Sequence, residues 1–257
     1  MSNRRPRDIL AVDIGNTTIS FGVIRRGRLL FTSRMATGKK AQFQDRIVHK
    51  ACKKYQIDKI VVSSVVPEKN TWMKRVSRKY FSKTPHFLDA LAMKKMGIRI
   101  AYRPVSSVGA DRLALALACF SMKLPLVIID FGTALTFDVL SDKKEYLGGI
   151  IFPGPALAFR TLGENASLLK GIAPLRDPKK ILGSSTPESL GSGKQYGYLS
   201  LVEGVIRRLE KYLRHPCTVV FTGCDSESVY QAYKHPRKHY NQFLVLKGLG
   251  LWAQNLT

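Results

Sequence analysis

A short motif occurs twice in this chain, and the repeat limits its possible folds more than any other feature. Asp13-Ile14-Gly15-Asn16 and Asp130-Phe131-Gly132-Thr133 lie 117 residues apart. Each follows a short aliphatic run, Ile9–Asp13 or Leu126–Asp130, that reads as a buried strand. Each also opens a hairpin. The first is Thr18–Ile24 with Arg28–Arg34 around Arg25-Arg26-Gly27, and the second is Leu135–Leu140 with Tyr146–Ile151. An Asp-x-Gly pair arises easily by chance, but a shared order of strand, turn and hairpin does not. The repeat predicts two related α/β domains, residues 1–120 and 121–257, with the two turns facing one cleft.

The intervening segments fit this plan. Gln42–Tyr55 and the stripe Trp72, Val76, Tyr80 predict amphipathic helices on either side of a buried strand at Lys59–Ser63. Ala110–Ser121 is apolar nearly all round, which predicts a helix buried between layers. In the second half, Val202, Ile206, Leu209 and Leu213 mark a helix, and Thr218–Phe221 a strand.

Composition narrows the function classes. Hydrophobic residues are 45% and charged residues 23%, which argues against a disordered chain. No apolar run is long enough to span a bilayer. The basic start, Arg4, Arg5 and Arg7, is followed only by Ile9–Val12, too little for a signal-peptide core. The four cysteines have no metal spacing, so a reduced cytoplasmic setting is expected. The net charge of +24 is dispersed along the chain and attracts polyanions without selecting one.

Asp13-Ile-Gly15-Asn16-Thr17 has two readings. It is either an Asp-Gly hairpin turn or a carboxylate and glycine turn that holds a phosphate and its metal. Asp130-x-Gly132-Thr133 has the same two readings, and its recurrence on a repeat favours phosphate binding. Gly109-Ala110-Asp111-Arg112 opens the apolar helix, so Asp111 is either a first-turn acid favoured by the dipole or a base for a substrate hydroxyl. Gly191-Ser-Gly193-Lys194-Gln195 fails as a P-loop, because Glu188 and Gln195 replace required residues. His235 and His239 are four apart, but Pro236 disfavours one helix carrying both.

Taken in order, these segments closely resemble the type III pantothenate kinase family, within the actin, Hsp70 and sugar-kinase superfamily. The matching stretches are Asp13–Thr17, Ser63–Pro67, Gly109–Arg112, Asp130–Asp138, Tyr146–Gly154, Thr186, Ser192-Gly193 and Gly197-Tyr198. The resemblance implies duplicated ribonuclease H-like (actin-like ATPase) domains with a cleft between them. It implies ATP-dependent phosphorylation of pantothenate, the first step of coenzyme A synthesis, by a cytoplasmic homodimer using Mg²⁺ and a monovalent cation, K⁺ or NH₄⁺. Carried over by position, Asp13, Ile14, Gly15, Asn16, Thr17, Thr18, Ile19 and Ser20 form the first phosphate loop, with Mg²⁺ near Asp13. Gly132 and Thr133 contact ATP, and Asp130 holds the monovalent cation. Asp111 is the general base, Gly109, Ala110, Arg112 and Tyr102 hold pantothenate, and Thr186 lines the same pocket from the other subunit. Arg112 either binds the pantothenate carboxylate or pairs with Asp111.

Three segments depart from the family pattern: Arg103-Pro104-Val105, Asn165–Leu169 and Thr222-Gly223-Cys224. The first two fall in the expected acceptor pocket. They keep open a kinase for another small hydroxy acid. A regulator or nucleic-acid binder on the same scaffold is the other alternative, with nucleic acid otherwise held only by non-specific charge attraction.

Overall fold

The computed structural model describes residues 8–39 and 41–256. Arg4, Arg5 and Arg7 therefore lie outside the described residues. Two compact units are present: Met1–Ser121 together with Phe243–Thr257, and Met122–Gln242.

The first unit is built on β1 (Asp8–Ile14), β2 (Thr18–Arg25), β3 (Arg28–Ala36), β4 (Ile57–Ser64) and β5 (His86–Phe87). Its sheet order is β3-β2-β1-β4-β5. The first three strands are antiparallel neighbours, while β4 runs parallel to β1 and β5 parallel to β4. The β2–β3 connection is two residues long, Arg26 at φ 50° and Gly27 at φ 76°. That left-handed pair matches the twist of a tight hairpin.

Side chains alternate across this sheet, and the alternation decides what covers each face. Leu10, Val12, Ile14, Phe21 and Val23 pack with Val48 of α1 (Ala41–Cys52) and with Trp72, Met73 and Val76 of α2 (Pro67–Phe81). After α2 come the short helix α3 (Ala90–Lys95), a two-residue strand β6 (Arg99–Ile100) and α4 (Ala110–Cys119). All residues of α4 from Arg112 to Cys119 are buried, as its all-round apolar sequence predicts.

The second unit repeats the plan. Its strands are β7 (Leu126–Phe131), β8 (Ala134–Leu140), β9 (Glu145–Pro153), β10 (Thr218–Gly223) and β11 (Lys238–Tyr240). They lie in the order β11-β10-β7-β8-β9, with β7, β8 and β9 antiparallel and β10 and β11 parallel to β7. Read from the other edge, this is the order and direction of the first sheet. The helices are α5 (Pro155–Asn165), α6 (Thr186–Ser192), α7 (Tyr198–Leu213) and α8 (Glu227–Ala232). Val202 and Ile206 of α7 and Val229 of α8 pack against Val127, Ile129, Phe137 and Phe221.

The last helix, α9 (Leu244–Gln254), corrects the sequence division at 120/121. It belongs to the first unit, not the second. The cause is a small-residue contact. A Cβ on Gly248 would lie 1.8 Å from the Ala114 carbonyl, and one on Gly250 would lie 2.6 Å from Ile24 Cδ1. The helix backbone therefore sits directly on α4 and β2. Lys59 Nζ donates to the Ala253 and Leu256 carbonyls at its C-terminal end.

Candidate active site

Asp13 is half-buried near the end of β1, beside Ser20 of β2 and Ser63 of β4 in the ladder. Ile14 pairs with Ile19, and the Gly15 N–H donates to the Thr18 carbonyl at 3.0 Å, closing the turn. Asn16 and Thr17 at its tip are exposed. One residue that the sequence reading passed over holds this turn from behind. Thr37, immediately after β3, donates its hydroxyl to the Gly15 carbonyl at 2.7 Å and its N–H to the Thr17 carbonyl at 3.0 Å. Thr37 is itself buried, and its carbonyl accepts Gln44 Nε2 at 3.0 Å.

The first unit brings Asp111 to the same turn through a chain of contacts. Beyond β4, the Val65 N–H extends the ladder to the Ile14 carbonyl at 3.1 Å. Val65 Cγ1 lies 3.3 Å from where a Cβ on Gly109 would stand, and Asp111 Oδ1 lies 2.4 Å from the same point. Only glycine leaves Asp111 this room. Asp111 is in the first turn of α4 and accepts the Arg112 N–H at 2.8 Å. The helix N-terminus and this N–H both direct positive partial charge at the carboxylate. Ala110 beside it is half-buried. The Arg112 side chain is buried, with its guanidinium 5.8 Å from the centroid of the Tyr102 ring. Tyr102 and Arg112, named separately from sequence, therefore form one cation–π pair.

The second turn is one residue shorter. Phe131 pairs with Leu135, and the Gly132 N–H donates to the Ala134 carbonyl at 3.0 Å. Thr133 is exposed at its tip. Its carbonyl accepts the Gly154 N–H at 2.9 Å. A Cβ on Gly154 would stand 2.1 Å from the Gly132 carbonyl, so the two chain segments touch by backbone alone. Asp130 is half-buried beside Thr136 and Thr222 in the ladder. Its Oδ1 lies 2.6 Å from the Cβ position of Gly223, whose φ is +93°. Beneath, the Tyr198 ring lies tilted by 53° against Phe131, centroids 6.3 Å apart, and its hydroxyl donates to the Pro153 carbonyl at 3.0 Å. Asp138, which closes the matched motif, is fully buried and accepts the Tyr146 hydroxyl at 2.5 Å and the Thr136 hydroxyl at 3.0 Å. Its role is to anchor β8 to β9.

The sequence model of the family described as type III pantothenate kinase matches residues 9–208. The chain belongs to that family. A type III pantothenate kinase of Myxococcus xanthus is 33% identical over 256 residues, covering 94% of this chain and 96% of its own. One of Halalkalibacterium halodurans is also 33% identical, covering 95% of this chain and 97% of its own. Among solved structures, the ethanolamine utilization protein EutJ of Carboxydothermus hydrogenoformans superposes with a TM-score of 0.55 at 12% identity, over 98% of this chain and 92% of its own. Component A of the (R)-2-hydroxyglutaryl-CoA dehydratase of Acidaminococcus fermentans gives 0.56 at 11% identity, over 96% of this chain and 98% of its own. These two establish the fold alone: duplicated ribonuclease H-like domains of the actin-like ATPase type.

The remaining positions that the family pattern marks fall as follows. Thr186 opens α6 in the second unit and is exposed, just after Ser185, whose hydroxyl accepts the Glu188 N–H. Arg103-Pro104-Val105 is an exposed stretch, where Pro104 precedes a single 3₁₀ turn. Asn165 ends α5, and Leu168 after it is 90% exposed. Gly191-Ser-Gly193 is helical rather than a loop, with Gly191 buried against the Leu175 carbonyl. His239 lies on β11, while His235 precedes it and meets Glu210 at 3.4 Å. Cys52, Cys119 and Cys217 are buried, and burial pushes each thiol up to about 12. At neutral pH none of the three is a nucleophile.

Proposed function

We propose that this chain transfers the γ-phosphoryl group of ATP to the 4′-hydroxyl of pantothenate, the first step of coenzyme A synthesis. The observation that carries the reading is the room Gly109 leaves for Asp111, within one contact chain of the first Asp-x-Gly turn. Phosphoryl transfer needs positioning and charge neutralisation more than covalent help from the protein. Here the acceptor oxygen forms a bond to the γ-phosphorus, and the bond from that phosphorus to the β,γ-bridging oxygen breaks. ADP leaves, and the hydroxyl proton passes to the Asp111 carboxylate. The first turn, Asp13 to Ser20, and the second, Gly132 and Thr133, supply donors for the phosphates. Arg112, pre-set on the Tyr102 ring, supplies the cation for the pantothenate carboxylate. Gly109 and Ala110 complete the acceptor side, with Thr186 reaching it from the other subunit of the proposed homodimer.

Two cations belong to this reading, and oxygen-donor sets fit them. Asp13 has Ser20 and Ser63 as its ladder neighbours, hydroxyl-bearing residues whose oxygen chemistry suits Mg²⁺. Asp130 stands beside Thr136 and Thr222 where Gly223 leaves its carboxylate space, suited to K⁺ or NH₄⁺. When bound, these ions neutralise charge that builds on the phosphoryl oxygens. A cytoplasmic homodimer is the assembly we propose. No helix among the described residues is long and apolar enough to cross a membrane. Nucleic acid is expected to bind only by non-specific charge attraction.

The test is pantothenate-dependent ADP formation with Mg²⁺ and with K⁺ or Na⁺, with product mass read in the same tube. Asp111→Asn is expected to lower turnover by roughly 100- to 10,000-fold. Unchanged turnover in that variant sinks the assignment. Turnover with another hydroxy acid but not with pantothenate moves it to the altered segments at Arg103 and Asn165.

A further inference from the structure

We propose that Thr37 is a positioning residue that sets the direction of the phosphate-facing N–H groups in the first turn. The proposal rests on the kinase reading above and adds to it a residue outside every matched motif. Thr37 is only 5% exposed, so it does not reach a ligand itself. It grips the turn at two places. Its hydroxyl donates to the Gly15 carbonyl at 2.7 Å, and its N–H donates to the Thr17 carbonyl at 3.0 Å.

The consequence follows from peptide geometry. In a planar trans peptide, the C=O and the next N–H point in opposite directions. With the Gly15 and Thr17 carbonyls both drawn toward Thr37, the N–H groups of Asn16 and Thr18 point away from it. A turn that shows its N–H groups on one side is a concavity for phosphate oxygens. Thr37 thus fixes which side of the turn carries the donors.

Thr37 is held in turn. Gln44 is fully buried, and its Nε2 donates to both the Ala36 and Thr37 carbonyls at 3.0 Å. Lys69 Nζ donates to Gln44 Oε1 at 3.2 Å, which fixes the orientation of that amide. The internal repeat supplies a control. The equivalent position in the second copy is Gly154, which keeps the N–H bond to the turn at 2.9 Å and has no side chain. The hydroxyl is therefore a feature of the first turn, not a requirement of the fold.

The experiment compares wild type, Thr37→Val and Thr37→Ser. ATP binding with Mg²⁺ is measured by calorimetry, and KM is measured separately for ATP and pantothenate. Thr37→Val is expected to weaken ATP binding and raise the ATP KM by about tenfold, as loss of a buried hydrogen bond implies. The pantothenate KM is expected to stay within about twofold, and Thr37→Ser to restore ATP binding to within about twofold. ATP binding by Thr37→Val equal to wild type overturns the assignment. So does failure of serine to rescue, or a parallel rise in the pantothenate KM, either of which marks a purely structural role. Should the valine variant not fold, Thr37→Ala removes the hydroxyl and is judged by the same outcomes. Wild-type protein that binds no ATP overturns the kinase reading itself. Wild-type binding that Thr37→Val leaves intact overturns only the role of Thr37.

Discussion

The two Asp-x-Gly turns occupy the same place in the same sheet, yet they are secured differently. In the first, a threonine after β3 reaches the Gly15 carbonyl with its hydroxyl. In the second, the residue after β9 is Gly154, and its backbone presses directly on the Gly132 carbonyl. The first turn has four residues between its closing pair and the second has three. A longer turn leaves a gap that a side chain fills, and a shorter one brings the backbones into contact. Duplication thus preserves the strand ladder, while each copy solves the packing of its own turn. The neighbouring strand differs too. Ser64 follows the ladder beside Ile14, whereas Gly223 stands beside Phe131 at φ +93°.

The largest expected effect comes from forcing one solution onto the other copy. Gly154→Thr puts a Cβ 2.1 Å from the Gly132 carbonyl and 2.8 Å from that of Thr133. Both obstacles are backbone, so the turn must move. Overpacking of this kind costs about 3 kcal/mol, read as a lower denaturation midpoint. Thr133 then shifts, and ATP binding by calorimetry is expected to fall with it. A variant as stable as wild type would show that the two turns are interchangeable.

Next in size is Gly223→Ala. The φ of +93° disfavours any side chain, and the new methyl would meet the Phe131 carbonyl at 2.5 Å and Asp130 Oδ1 at 2.6 Å. A cost of about 1–3 kcal/mol is expected from the strained backbone. The sharper readout is the monovalent cation. Displacing Asp130 should raise the K⁺ concentration for half-maximal activity, while the Asp13 turn in the other unit is untouched. An unchanged K⁺ requirement would separate Asp130 from cation binding.

The sequence made the strands and hairpins legible because their signals are local. Aliphatic runs, the turn at Arg25-Arg26-Gly27 and a stripe at Trp72, Val76 and Tyr80 need no tertiary context. Helix α9 was missed because its sequence is apolar on most sides and offers no polar face to mark a helical stripe. Its glycines, Gly248 and Gly250, are where α4 and β2 approach. Asp13, Asp111 and Asp130 could be named as candidates from sequence because each lies in a motif whose residue types carry chemistry. Thr37 and Gly154 could not, because their work is done through backbone carbonyls of a distant turn. One signal was present. The 117-residue offset that aligns Asp13 with Asp130 also aligns Thr37 with Gly154. Arg112 and Tyr102 were each named, but their cation–π contact needs the path of residues 103–109, which carries no periodic pattern.

The smallest effect concerns the thiols, two of which lie in each unit. Cys52 and Cys119 are buried in the first; in the second, Cys217 is buried and Cys224 is exposed beside Gly223. Burial disfavours the thiolate, so the three buried groups titrate near 12 when folded, against an ordinary value of 9.0. The sign follows from which state releases protons first. Below pH 9 the thiols are protonated in both states, and their burial adds no pH dependence. Above it the unfolded chain loses these protons while the folded chain keeps them, so stability falls as pH rises toward 12. Replacing Cys119 with alanine should flatten the decline measured by denaturation between pH 9 and pH 11. At pH 8, a thiol reagent should modify Cys224 alone in the folded protein and all four cysteines after denaturation. Rapid modification of Cys119 in the folded protein would mean that α4 opens readily. The helix that carries Asp111 would then be less firmly seated than its contact with Gly248 implies.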